Sequence, residues 1–171
     1  MEMKIFLANL GKYNEGELVG KWVSLPCQNI TKELETIGVK EGSRYEEYFI
    51  PDYEYTFFEI GEYANLKKLN ELAKKLQENE KLQEIEEAGE FDWLGGYLEA
   101  YGGNIEEAID EYRDTSKWYP GKSLLDVAEE LIHTQFKVPK ELKMYIDYEG
   151  YARDLSFNGF TEVNGGVIEM L

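Results

Sequence analysis

Residues 3–25, MKIFLANLGKYNEGELVGKWVSL, decide the fold class at the start of the chain. Two apolar runs, 3–10 and 18–25, flank a polar loop carrying Gly11, Asn14 and Gly16. That pattern predicts two strands joined by a turn-rich connection. Thr31 to Ile37 reads as a short helix, with Thr31 as its N-cap, Leu34 and Ile37 as its apolar side and Gly38 as its stop. Residues 45–50 and 52–58, rich in Tyr and Phe, read as extended segments broken at Pro51. Residues 1–61 thus form a small N-terminal α+β domain.

Beyond it the composition changes. Residues 62–88 contain no Gly, Pro, Val, Phe or Trp, and Leu66, Leu69, Leu72, Ala73 and Leu76 recur at three- and four-residue steps. This is an amphipathic helix, interrupted around Asn79 and resumed through Leu82 and Ile85. Gly89, Gly95, Gly96, Gly102 and Gly103 then divide short pieces bearing Phe91, Trp93, Tyr97 and Tyr101, so 62–103 reads as a helical middle domain. Residues 104–171 read as a C-terminal domain of helices plus a β-hairpin. Asn104 with Glu107 resembles a capping box, with Ile105, Ala108, Ile109 and Tyr112 as the apolar stripe behind it. Ser123 with Asp126 opens a second helix, its core side Leu124, Val127, Ala128, Leu131, Ile132 and Gln135. Pro139 opens a third, with Leu142, Tyr145, Ile146, Ala152 and Leu155 apolar. FTEVNGGVIEML at 160–171 is a hairpin turning at Asn164-Gly165. The class is α+β, in three small consecutive domains.

The chain carries 35 Asp and Glu against 18 Lys and Arg, a net charge of -17. The excess is spread over all three segments, with 11 acids to 6 bases in 1–60, 10 to 5 in 61–103 and 14 to 7 in 104–171. Thirteen Tyr, eight Phe and three Trp interleave with the acids, which suits a folded core and excludes a disordered acidic tail. Such a surface repels nucleic acid and attracts what binds nucleic acid. The start of the chain lacks a signal-peptide pattern, and no apolar run approaches the roughly 20 residues that span a bilayer. The single cysteine, Cys27, excludes an internal disulfide and reads as a small buried hydrophobe. A cytoplasmic setting is expected, with no membrane partner.

The helix from Asn104 to Asp114 departs from ordinary charge balance. Glu106, Glu107, Asp110, Glu111 and Asp114 face solvent, and Glu106/Asp110, Glu107/Glu111 and Asp110/Asp114 are like-charge pairs at i,i+4. Each destabilises a helix by about 0.2–0.5 kcal/mol. The helix at 66–78 instead sets Lys67/Glu71, Glu71/Lys75 and Lys74/Glu78 at the same spacing, as a solvated face does. Unbalanced acids recur at Glu46, Glu47, Asp52 and Glu54, at Glu84 and Glu87, and at Asp126, Glu129 and Glu130. Helical residues four apart lie about 6 Å apart along the axis, and strand residues two apart about 6.5–7 Å. Phosphates along a DNA strand have similar spacing, so rows of carboxylates can stand in for them before Lys and Arg side chains. An ordinary acidic, solubilising surface is the competing explanation.

Catalytic chemistry finds little support. His133 is the sole histidine, on the polar side of its helix, with no G-x-S-x-G to accompany it. The glycines near the start fit no phosphate-binding loop, and no carboxylate pair is singled out for glycoside hydrolysis. Stacking of the many tyrosines on nucleic-acid bases fails on charge, because such grooves are basic. No cofactor or metal is expected, and no catalytic residue is assigned.

Three strings carry a resemblance. IFLANLGKYNEGELVGKWVSLP (5–26), EEYFIPDYE (46–54) and DVAEELI (126–132) followed by VPKELKMYIDYEGYARDL (138–155) resemble, in order, the ArdA antirestriction family. The resemblance implies an elongated, curved three-domain protein that dimerises through its C-terminal domain. It implies a mimic of bent DNA that occupies the DNA-binding groove of type I restriction-modification enzymes, protecting plasmids and conjugative transposons as they enter a host. It also implies that Leu125–Leu155 is the antirestriction motif, with Asp126, Glu129, Glu130, Glu141, Asp147, Glu149 and Asp154 as its acids and Arg153 in a structural role. An acidic adaptor of another DNA-binding protein is the alternative from a different class, and a hydrolase with an unrecognised carboxylate pair is a third. Terminal residues Phe157, Phe160, Val167, Ile168 and Met170 are candidates for the dimer contact or for domain core.

Overall fold

The computed structural model describes residues 2–171. The chain gathers into two compact units, one ending at Glu86 and the other Glu87–Leu171. Both mix helices with a three-stranded antiparallel sheet, an α+β architecture.

In the first unit, β1 (Met3–Asn9) lies between β2 (Gly20–Leu25) and β3 (Tyr48–Glu54). Met3, Ile5 and Leu7 alternate onto the buried face with Val23 and Leu25, as the two-residue period of a strand requires. β1 stops one residue earlier than its apolar run suggests. The fully buried Asn9 accepts from the Lys12 N–H at 2.9 Å and so caps α1 (Leu10–Asn14). Its amide also donates to the Ile37 carbonyl at 3.1 Å, which ties the end of α2 (Ile30–Thr36) to the sheet. The cap of α2 is Asn29, bonded to the Lys32 N–H, and not Thr31. β3 runs straight through Pro51, where a break was expected. β3 pairs only with β1, and the ladder shifts register between Phe6 and Ala8. An edge strand at such an irregularity tolerates the missing N–H of proline.

α3 (Leu66–Gln77) buries Leu66, Leu69, Ala73 and Leu76, and α4 (Glu80–Ala88) buries Leu82 and Ile85. Asn70 on α3 grips the chain after β2. Its side chain accepts from the Cys27 N–H at 2.7 Å and donates to the Cys27 carbonyl at 3.2 Å. Cys27 itself is half-buried, not the buried hydrophobe expected, and burial is the main cause raising its thiol pKa.

In the second unit, α5 (Phe91–Tyr101) is one continuous helix through Gly95 and Gly96, where short pieces were expected. A Cβ on Gly96 would meet Val163 Cγ2 at 2.9 Å, so this glycine permits close helix–sheet approach and does not break the helix. α6 (Ile105–Thr115) leads into β4 (Ser116–Pro120), followed by α7 (Leu124–Gln135), a 3-10 turn (Lys140–Tyr145), α8 (Tyr148–Ser156) and the hairpin β5 (Phe160–Val163) and β6 (Gly166–Met170). The strand order is β4-β6-β5, and Gly165 takes the turn at φ 90°. Asn104 caps α6 through the Glu106 N–H, whereas Ser123 and Asp126 close a full capping box on α7.

Pro139 precedes only the 3-10 turn, and a new cap, Asp147, starts α8 by accepting from the Gly150 N–H at 2.8 Å. The continuous third helix is therefore absent. Leu142 and Tyr145, expected on its apolar side, are exposed, as is Gln135 of α7. The core beneath α7 and α8 gathers Tyr119, Val127, Ala128, Leu131, Ala152, Leu155, Phe160 and Val167. Phe160, Val167 and Ile168 are thus domain core, whereas Phe157 and Met170 are exposed. The helices of 62–103 divide between the units. α3 and most of α4 fall in the first, and α5 falls in the second, against α6 and the sheet.

Candidate functional site

The 18 acids singled out in the sequence are all exposed except Glu130, which is half-buried. Glu46 and Glu47 stand in the loop before β3, and Asp52 and Glu54 on β3 itself. Glu84 and Glu87 lie on the outer side of α4. Glu106, Glu107, Asp110, Glu111 and Asp114 line the solvent side of α6, whose other side buries Ala108, Ile109 and Tyr112. Asp126, Glu129 and Glu130 sit on α7, Glu141 in the 3-10 turn, Asp147 at the cap of α8, and Glu149 and Asp154 on α8. Each unit therefore bears its own rows.

The acids sort by what they touch. Several of the eighteen are engaged by the fold. Asp126 accepts from Ser123 through both side chain (2.6 Å) and backbone (2.8 Å), and those bonds hold its carboxyl below the usual range. Glu130 is ion-paired with Lys122, and Asp147 is a helix cap. Asp52 accepts from its neighbour's N–H at 2.8 Å. By contrast Glu46, Glu47, Glu54, Glu84, Glu87, Glu107, Glu111, Asp114, Glu129, Glu141, Glu149 and Asp154 have no ion-pair partner within 4.0 Å among the described residues.

Arg113 makes the imbalance on α6 sharper than the sequence implied. It is the helix's lone base, and it turns away from the acid row. Its Nε and Nη2 both lie 2.7 Å from Glu90 Oε2, which also accepts from the buried Tyr112 hydroxyl at 2.5 Å. Burial acts to raise the Glu90 pKa, but the hydrogen bonds from Tyr112 and Arg113 outweigh it and hold the carboxyl below its ordinary value. The Tyr112 hydroxyl is pushed well up, first by burial and then by Glu90. Tyr112 also meets Trp93 edge-on at 5.0 Å, and Trp93 donates to Ser116 at 3.0 Å. This lock fixes α6 against the start of α5.

Sequence reasoning did not separate structural acids from free ones. Glu99 accepts from the hairpin's Asn164 N–H, Glu162 from the Leu124 N–H at the start of α7, and Glu169 from the Tyr119 hydroxyl. These partners lie 38 to 65 residues away, beyond any local pattern. Arg153, given a structural role by resemblance, is exposed and forms no ion pair among the described residues. His133 is exposed and touches the Tyr148 hydroxyl at 3.3 Å.

A hollow of ≈ 530 Å³ in the first unit is lined by Glu35, Gly38, Lys40, Ser43, Arg44 and Tyr45. Arg44 is held by Glu15, which also accepts from the Tyr45 hydroxyl at 2.7 Å. Among the described residues no group of three or more His, Cys, Asp or Glu could hold a metal ion. No helix in them is long and apolar enough to cross a membrane.

The family model described as "Antirestriction protein (ArdA)" matches residues 5–169. No match is found among curated proteins.

Proposed function

Since the chain belongs to the ArdA antirestriction family, we propose that it acts by mimicking DNA, without catalysis, in the cytoplasm of a cell receiving mobile DNA. Its acid rows occupy the DNA-binding groove of a type I restriction-modification enzyme and keep it from restricting the incoming duplex. The observation that carries this reading is α6, which presents five solvent-facing acids while its only base is spent on Glu90. Like-charge pairs at i,i+4 destabilise the helix that holds them, so a binding role explains an arrangement that stability does not. Lysines and arginines that grip phosphates would meet carboxylates at comparable spacing.

The protein works as a homodimer in this reading. At -17 per chain, association needs an apolar contact of low charge. Phe136, Leu142, Met144 and Tyr145 are all exposed, in a stretch whose Lys137, Lys140 and Lys143 outnumber its one acid, Glu141. Phe157 is exposed nearby in sequence. This surface replaces the buried Phe160, Val167 and Ile168 as the dimer candidate.

The test is competition. A type I methyltransferase core titrated with DNA and with this protein, from low to high salt, should bind one or the other and never both. The dimer carries -34, the charge of only about 17 base pairs. If it spans more DNA than that, it releases fewer counterions and shows a shallower salt slope than DNA. Simultaneous binding would exclude groove occupancy and favour an adaptor on some other surface.

A further inference from the structure

The sheet of the first unit has one buried face and one open face. On the open face, strand register sets Trp22, Phe6 and Asp52 in one row across β2, β1 and β3, and Ser24, Lys4 and Glu54 in the next. Neighbouring strands are about 4.8 Å apart, so Trp22 and Asp52 stand on the order of 10 Å apart with Phe6 between them. Phe6 and Trp22 meet edge-on at 5.5 Å. The Phe6 ring lies over Gly20, where a Cβ would come within 2.8 Å of it, so the missing side chain seats the ring. Trp22 remains 41% exposed. Glu2 joins the acids of this face through its bond to the Ser24 hydroxyl at 2.9 Å. Lys4, the cation in the second row, sits 5.5 Å from the ring centroid of Tyr55.

An exposed tryptophan on an open sheet can be a cross-strand packing pair, but its surroundings here are selective. An aromatic ridge of two edge-on rings, bordered by Glu2, Asp52 and Glu54, offers a π-face and carboxylates within one side chain's reach. A guanidinium uses both, because it stacks on aromatic faces and donates in a planar fork to a carboxylate, which an ammonium does not match. We infer that the open face of the N-terminal sheet is a docking surface for arginine side chains of a basic protein, stacked on Trp22 and Phe6 and bonded to Asp52 or Glu54. Identifying that protein as a restriction enzyme's DNA-binding surface rests on the function proposed above.

Two measurements decide it. In the full chain labelled at the indole nitrogens, the Trp22 resonance, assigned with Trp22→Phe, is followed during titration with hexa-arginine and with hexalysine peptides. Trp22 should move saturably, at several-fold lower concentration of the arginine peptide, while Trp93 and Trp118 stay still. Asp52→Asn and Glu54→Gln should each weaken the response about two- to threefold. An unmoved Trp22, or equal response to both peptides, overturns the proposal. In the methyltransferase competition, Trp22→Ala, shown folded by circular dichroism, should bind about three- to thirty-fold more weakly, and Trp22→Phe should recover most of the loss. Unchanged competition by Trp22→Ala overturns this docking role while leaving groove occupancy intact. Failure of the wild type to compete sinks the restriction-enzyme partner, and the peptide titration still decides the face. Loss of self-association in Trp22→Ala would assign the face to a second copy and also overturn the proposal.

Discussion

Helices α3 and α6 are built alike and charged oppositely. They have 12 and 11 residues, and each buries one apolar side and caps its first turn with an asparagine. α3 carries Lys67, Lys68, Lys74 and Lys75 around Glu71, spaced so that opposite charges meet at i,i+4. α6 carries Glu106, Glu107, Asp110, Glu111 and Asp114, spaced so that like charges meet, and its Arg113 is drawn off to Glu90. The chain can therefore set opposite charges against each other on a helix surface and does so in one place. Its acidity is local design on top of composition. The units differ in the same sense, with 17 acids to 11 bases up to Glu86 and 18 to 7 beyond.

The largest expected effect comes from reversing α6. Glu107→Lys, Glu111→Lys and Asp114→Lys together should weaken competition with DNA by tenfold or more at low salt, the difference narrowing as salt rises, because each exposed charge is worth about 0.2–1 kcal/mol and each reversal counts it about twice. Stability should change little, since the 110/114 pair becomes opposite in charge while positions 107 and 111 exchange one like-charge pair for another. Lys67→Glu, Lys68→Glu and Lys74→Glu on α3 should leave competition unchanged within about twofold. Equal losses from both triples would erase the distinction between the helices.

Next in size is the lock that keeps Arg113 off the acid row. Tyr112→Phe leaves Glu90 without a buried partner and should cost about 1–3 kcal/mol in urea unfolding, with competition retained while the protein stays folded. The Glu90 carboxyl, held below its ordinary value, contributes stability that is fully present above its unfolded-state pKa. That contribution is lost as pH falls through the lower folded value. Wild type should therefore lose stability on acidification below about pH 4.5 more steeply than Glu90→Gln, which has no charge there to lose. Parallel pH profiles would show that Arg113 is not held by this carboxylate.

A smaller effect concerns repulsion. Self-repulsion weakens a compact state of high net charge, and salt screens it. Raising sodium chloride from 20 to about 300 mM should raise the melting temperature by a few degrees. In the α6 triple-lysine variant that gain should shrink. Smallest of all, Glu129→Gln alone should change competition by less than about twofold, since one exposed charge contributes little. Abolished activity in a folded single variant would contradict recognition spread over many acids.

Periodicity carried much of the fold. Alternation in β1 and β2, the apolar stripes of α3, α6 and α7, and the Asn164-Gly165 turn are all where the sequence put them, because each depends on neighbours within a turn or two. The misreadings share a cause. Gly96 reads as punctuation until Val163 is brought against it, and Pro51 reads as a break until β3 proves to be an edge. Asp147, expected among the motif's acids, also caps α8, which divides one expected helix into a 3-10 turn and α8. The candidate acids were legible as exposed, because their apolar neighbours identify the inward side of each helix. Which of them are free was not legible.

The sequence by itself determined the family, the α+β class, the net charge and the exposed side of each helix, since these follow from composition and local period. Only the tertiary structure decided how individual charges are used. It sent Arg113 to Glu90 across 23 residues, and turned Glu99, Glu162 and Glu169 to holding turns and a strand. It also left Trp22 part-exposed on an open sheet face, in one row with Phe6 and Asp52. The physical reason is range. Helix and strand periods are set by bonds a few residues apart, whereas a carboxylate's partner is whichever donor the packed chain carries to within about 3 Å of it.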